Sequence, residues 1–275
     1  MTEQTASDLY LDLMAAVLTR YGFEGSNNTV NVSTGSYAGY LWDMLRDELG
    51  DGSVRLTRTG KFNAAKRAEG KDWPADAETM VGLRRLTNIR TCVETALADG
   101  VPGDLIETGA WRGGSTIYMR AILAAHQVTD RVVWVADSFQ GLPKPDARRY
   151  PEDAGDQHYT RDELAVSQEQ VRENFKRYNL LDEQVRFLPG WFEDTLPGAP
   201  IESLALLRLD GDMYGSTMVA LDNLYDKVGS GGFVVVDDFG AVGACARAIE
   251  DFRSKRGITE PIEKIDWTGV FWRKS

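Results

Sequence analysis

From Asp104 onward, short apolar runs alternate with stretches of helical periodicity, and this alternation constrains the fold more than any other feature of the chain. Residues 105–108, 132–136, 185–188, 204–209 and 233–236 read as strands. Residues 116–125, 161–178, 217–227 and 243–256 read as the helices between them. Near-continuous apolar strands joined by crossover helices imply a parallel sheet covered on both faces. Residues 262–266 and 269–273 are two further candidate strands with a tight connection, as in a closing hairpin. The expected class is α/β, a doubly wound, Rossmann-like sheet.

The first hundred residues lack strand alternation. Leu9, Tyr10, Leu13, Met14 and Val17 recur at helical spacing, as do Tyr40, Leu41, Met44, Leu45 and Leu49. The stretch 22–36, rich in Gly, Asn, Ser and Thr, reads as a loop. Pro74 disfavours helix at Trp73. Asp76 is a candidate cap for a helix with the apolar face Met80, Leu83, Leu86, Ile89, Val93 and Leu97, ended by Gly100 and Pro102. The expected division is a helical lid or extension over residues 1–100 and a ligand-binding domain over 101–275. The segment 141–160 holds three of the nine prolines and is too long for a simple connector. A second lid, or a specificity segment, is expected there.

Composition narrows the function classes. A chain of 275 residues accommodates one α/β domain with additions. No apolar run reaches the roughly 18 residues of a membrane span, and the first eight residues do not resemble a secretory signal. Cys92 and Cys245 are too few for a disulfide framework and suggest a reducing, cytoplasmic setting. The net charge of −11 repels a phosphate backbone, so nucleic acid is not an expected partner. Oligomeric state stays open, because the helical N-terminal region could form a dimer interface as well as a lid.

In a doubly wound sheet, ligands bind outside the carboxyl ends of the strands. The five strand ends deliver Glu107-Thr108-Gly109-Ala110-Trp111-Arg112-Gly113-Gly114-Ser115, then Asp137-Ser138-Phe139, then Gly190-Trp191-Phe192, then Asp210-Gly211-Asp212-Met213-Tyr214, then Asp237-Asp238. The first loop is glycine-rich but lacks both the G-x-G-x-x-G fingerprint and the P-loop Lys-Ser/Thr pair. Its glycines permit close backbone approach to a ligand. Asp137, at the second strand end, can accept hydrogen bonds from both ribose hydroxyls. A nucleoside without phosphates fits this pair of features, and S-adenosylmethionine, whose sulfonium suits an acidic pocket, is such a ligand. Trp191 and Phe192 could stack on adenine or belong to the core.

Asp210, Asp237 and Asp238 fall on neighbouring strands of such a sheet and could converge. Three ionised carboxylates need a cation, and hard oxygen ligands suit Mg²⁺, Mn²⁺ or Ca²⁺ rather than zinc. The alternative makes Asp237-Asp238 a helix-capping pair. His126 and His158 are the two imidazoles; the first ends a helix, and the second lies in the 141–160 segment. Asp212 and Tyr214 are better placed than either to touch an acceptor.

These motifs resemble the macrocin O-methyltransferase (TylF-type) family. The resemblance also rests on Asp72-Trp73-Pro74, on 79–86, on 136–143, on Gly190-Trp191-Phe192-Glu193-Asp194-Thr195-Leu196-Pro197 and on Ile265-Asp266-Trp267-Thr268-Gly269. It spans residue 72 to the end, with a weaker match before. It implies a class I methyltransferase fold with a seven-stranded sheet and methylation of sugar hydroxyls on natural-product (antibiotic) glycosides. It further implies that Glu107, Gly109, Asp137 and Ser138 contact S-adenosylmethionine and that Asp210, Asp237 and Asp238 hold Mg²⁺ or Mn²⁺. With their neighbours, the candidate cofactor residues are Glu107, Thr108, Gly109, Arg112, Gly113, Ser115, Asp137, Ser138, Trp191, Phe192 and Asp210. Two departures matter. A catechol-methylating enzyme type with a similar metal set has a Lys three positions after its first Asp, and Met213 stands there. An acid often follows Tyr214 in the family, and Gly215 stands there.

The expected reaction is in-line methyl transfer to an acceptor oxygen, with Asp210 or Asp212 as general base. A nicotinamide-dependent sugar oxidoreductase is the main rival, and the missing G-x-G-x-x-G argues against it. A metal-dependent hydrolase could use the same three acids. A non-catalytic binding protein would leave the acids and glycines at five strand ends unexplained.

Overall fold

The computed structural model describes residues 4–23, 27–29, 35–49, 57–59 and 61–275. In chain order its elements begin with α1 (Ala6–Leu18), β1 (Asn27–Thr29), α2 (Tyr37–Leu49), β2 (Thr57–Thr59), α3 (Ala64–Ala68) and α4 (Leu83–Ala98). Then come β3 (Asp104–Thr108), α5 (Gly114–Ala125), β4 (Val133–Asp137), α6 (Gln168–Arg177), β5 (Val185–Pro189) and α7 (Phe192–Thr195). The chain closes with β6 (Leu204–Leu209), α8 (Tyr214–Leu224), β7 (Val228–Val236), α9 (Gly243–Arg256), β8 (Glu263–Lys264) and β9 (Val270–Arg273).

Seven strands form one sheet in the order β5-β4-β3-β6-β7-β9-β8, and β1 pairs with β2 as a separate antiparallel ribbon. The inner strands run parallel, whereas β9 pairs antiparallel with both β7 and β8, as the closing hairpin predicts. Alternate side chains of each strand enter opposite faces. Leu105, Val133, Val135 and Val235 join one apolar cluster with α1, α4, α5 and α6. Ile106, Trp134, Leu207 and Val234 join the other with α8 and α9. After β3 the chain winds outward through β4 and β5 and returns to β6 beside β3. That reversal opens a crevice at the carboxyl ends of β3 and β6.

Three expectations need correction. The helix expected over 161–178 is α6 alone; Ser167 caps it by accepting from the Gln170 N–H, so the connection before it runs over 138–167 with three 3₁₀ turns. Asp76 caps no helix: α4 starts at Leu83 with Gly82 as its N-cap, and Asp76 pairs with Arg20 at 2.9 Å. The loop expected over 22–36 contains β1, although 24–26 and 30–34 lie outside the described residues. The buried face of α1 is Leu11, Met14, Ala15 and Leu18, while Leu9 and Leu13 are exposed. Among the described residues, no helix is long and apolar enough to cross a membrane.

Candidate active site

A cavity of about 830 Å³ opens at the switch point between β3 and β6. Its first end is built by the glycine loop after β3. Gly109 has φ +93, and a Cβ there would overlap the carbonyl oxygen of Asp210, so only glycine lets the two strand ends close up. Asp137, ending β4, ties this loop down: Oδ2 accepts from the Ala110 and Trp111 N–H groups at 2.7 and 3.2 Å, and Oδ1 from Phe139 N–H at 2.7 Å. Burial raises its pKa against those three donors. Trp111 and Phe139, flanking it, are held at positive φ of 48° and 56°, an uncommon conformation for aromatic residues that here follows from the two tied turns.

Register creates the charged floor. Glu107 on β3 lies opposite Arg208 on β6, and Leu209 lies opposite Val236, so the next residues, Asp210 and Asp237, come side by side. Arg208 is fully buried and donates to Glu107, to Asp237 and, at 2.7 Å, to Asp210 Oδ2. Arg85 of α4 donates to the other oxygen of Asp237 and lies 2.9 Å from Asp266 Oδ2. Asp238 accepts from the Asp212 N–H at 3.2 Å, and Asp212 itself takes the left-handed conformation, φ 56°. Six carboxylates thus face two guanidiniums. One oxygen each from Asp210, Asp237 and Asp238 lies within 4.8 Å of the others.

The imbalance shows in the proton affinities. Burial, then Asp237, raises the Asp210 pKa to about 6. Burial, then Asp210, raises Asp212 to about 7. Asp238 is driven well above the ordinary range by burial and then by Asp212 and Asp210. Glu107 rises to about 8 through burial, which outweighs Arg208, and its Oε2 has no hydrogen-bond partner among the described residues.

Most residues singled out in the sequence converge here. Glu107, Gly109, Ser115, Asp137, Ser138, Trp191, Phe192, Asp210, Asp212, Asp237 and Asp238 all line the cavity. Thr108, Arg112 and Gly113 do not. Thr108 is buried between strands, and Gly113 is the N-cap of α5. Arg112 donates to the Ala75 and Ala77 carbonyls, fastening the segment before α4 over the glycine loop. Tyr214, expected at the acceptor, turns away; its hydroxyl donates to Asp251 at 3.2 Å. His126 is the C-cap of α5 and bonds Glu94 at 2.9 Å, whereas His158 lines the cavity with Nδ1 2.6 Å from Asp156. Sequence reasoning missed Arg85, Arg208, Asp266 and Asp153. For Arg208 a signal existed: one charge inside the apolar strand LALLRL, two positions before Asp210 and so on its face.

Fold and site together define a class I O-methyltransferase. The chain belongs to the macrocin-O-methyltransferase (TylF) family, whose sequence model matches residues 7–274. It is 52% identical over 274 residues, 99% of this chain and 95% of the relative, to the 8-demethyl-8-(2,3-dimethoxy-alpha-L-rhamnosyl)-tetracenomycin-C 4'-O-methyltransferase of Streptomyces olivaceus. It is 48% identical over 273 residues, 98% of this chain and 94% of the relative, to the demethyldecarbamoylnovobiocin O-methyltransferase of Streptomyces niveus. The solved O-methyltransferase NovP superposes with a TM-score of 0.84 at 47% identity, covering 98% of this chain and 99% of that one.

Proposed function

We propose that this enzyme transfers the methyl group of S-adenosylmethionine to a sugar hydroxyl of a natural-product glycoside, with a divalent cation held by Asp210, Asp237 and Asp238. One observation carries the reading: the glycine loop and Asp137 line the same cavity of about 830 Å³ as a carboxylate cluster that two arginines leave undercompensated. The relative from Streptomyces olivaceus, named for a rhamnosyl tetracenomycin, supports the acceptor class.

The chain's residues fit both groups. Glu107 Oε2, buried and without a partner, and the carboxylate of Asp137 suit an amino group, a sulfonium field and ribose hydroxyls. The all-oxygen set of Asp210, Asp237 and Asp238 suits Mg²⁺ or Mn²⁺. S-adenosylmethionine, when bound, would supply an electrophilic methyl for the acceptor oxygen and leave as S-adenosylhomocysteine. A divalent cation held by the three aspartates would acidify an acceptor hydroxyl. Asp212 would receive the acceptor's proton: Asp210 is committed to Arg208, whereas Asp212 lines the cavity with no ion pair among the described residues. Arg208 and Arg85 hold Asp237 from both sides and fix the cluster before substrate arrives. Trp73, Met80 and Val81 from the N-terminal hundred residues, together with the 138–167 segment, cover the cavity and exclude water. In this reading both segments serve as lids, in the cytoplasmic setting that two buried free thiols suit.

Isothermal titration with S-adenosylhomocysteine, with and without Mg²⁺, followed by a methyl-transfer assay, tests the proposal. Tight binding and Mg²⁺-dependent methylation of a rhamnosylated polyketide are expected. Absence of binding in both conditions overturns it. Methylation unaffected by a chelator removes the cation alone.

A further inference from the structure

The 138–167 segment is a strap over the cavity; Arg149 pairs with Glu193 at its surface, and two further fastenings run to main-chain atoms. Near its far end, the Trp111 indole N–H donates to the Glu163 carbonyl at 2.9 Å, which joins it to the glycine loop. At its middle, Asp153 is 2% exposed, and its two carboxylate oxygens accept from the Tyr214 and Gly215 N–H groups at 2.6 and 2.9 Å. These are the first two amides of α8, donors that have no partner inside the helix. A carboxylate there satisfies both and complements the helix dipole.

The seat is shaped for this contact. A Cβ at residue 215 would lie 2.5 Å from the Tyr150 ring and 3.2 Å from Asp153 Oδ2, so any larger residue evicts one or both. Tyr150 also packs against the Tyr214 ring, with centroids 5.9 Å apart. Three residues past the anchor, Asp156 accepts from the His158 N–H at 2.8 Å and holds its Nδ1 at 2.6 Å. That fixes the imidazole in the cavity wall with Nε2 left for a ligand. α8 follows directly on Asp210 and Asp212, so the same two amides couple strap and acid floor.

We propose that Asp153 is a positioning residue for the acceptor: by docking the strap on the first turn of α8, through an opening that Gly215 provides, it presents His158 to the acceptor beside Asp212. The inference rests on the acceptor reading above and adds the residues that would make the acceptor half of the site.

The test compares D153A, D153N and G215A with the unaltered chain. The readouts are S-adenosylhomocysteine titration, tryptic cleavage at the exposed Arg148 and Arg149 of the strap, and turnover of 8-demethyl-8-(2,3-dimethoxy-alpha-L-rhamnosyl)-tetracenomycin C. In D153A and G215A, S-adenosylhomocysteine affinity should stay within about twofold, cleavage should accelerate, and the acceptor KM should rise roughly tenfold with a smaller change in kcat. D153N, which keeps one acceptor oxygen, should recover part of each effect, and H158A should raise KM without faster cleavage. Unchanged cleavage and KM in D153A and G215A would overturn the proposal. So would an equal loss of S-adenosylhomocysteine affinity in both variants, since the strap would then belong to the cofactor half. If the unaltered chain binds S-adenosylhomocysteine but leaves this glycoside unmethylated, the acceptor reading fails for it, and the cleavage rates still decide the anchor.

Discussion

The two ends of the cavity are built by opposite means. The end proposed for the cofactor is made of strand termini and backbone: Gly109 against Asp210, and Asp137 accepting three main-chain N–H groups. The end proposed for the acceptor is made of irregular chain fastened by side chains, with Asp153, Trp111 and Arg112 each reaching across the sequence to a backbone group. Sheet register holds the first end in place, and Asp137 ties its two turns together. The second end depends on a few contacts between residues far apart in the chain, which open at lower cost than a sheet does.

Arg208 sits between the two ends, bonded to Glu107 on one side and to Asp210 and Asp237 on the other, and its removal should erase the contrast. R208M leaves buried carboxylates without their cation and should cost about 3–5 kcal/mol in denaturant unfolding. A cost below about 1 kcal/mol would mean that protonation already neutralises the cluster. D210N should separate the ends, lowering kcat by roughly 10²-fold or more while S-adenosylhomocysteine affinity stays nearly intact. Unchanged kcat in D210N would remove Asp210 from the chemistry. D137A should act on the other end: three backbone donors lose their acceptor, and S-adenosylhomocysteine should bind roughly tenfold more weakly in titration. W73A, which removes a half-exposed ring from the acceptor wall, should raise acceptor KM about two- to tenfold and leave cofactor titration unchanged. If W73A instead weakens S-adenosylhomocysteine, the two ends are not separate.

The same contrast decides what the sequence reveals. Five parallel strands and the closing hairpin were legible because buried strands are apolar runs punctuated by glycine and acid, and 204–209 agrees with β6 at both ends. Asp210, Asp237 and Asp238 were legible because strand order makes consecutive strand ends neighbours. The strap was visible only as length and proline content. Nothing local distinguishes Asp153 from Asp146 or Asp156, because its partners lie 61 and 62 positions away. Arg85 was hidden for a related reason: on α4 it reads as one of several charges on a helix, and its partner Asp237 is 152 positions distant.

Apart from the Arg149–Glu193 pair, the strap's two fastenings end on main-chain atoms, the Glu163 carbonyl and the Tyr214 and Gly215 amides. A peptide group is the same whatever side chain it carries. In this chain the stretch between the anchors, from Ala154 to Asp162, can therefore be rewritten without renegotiating its attachment, so long as Asp153 and Gly215 remain. That makes the strap a replaceable part, and a natural place to graft a different acceptor preference onto this enzyme.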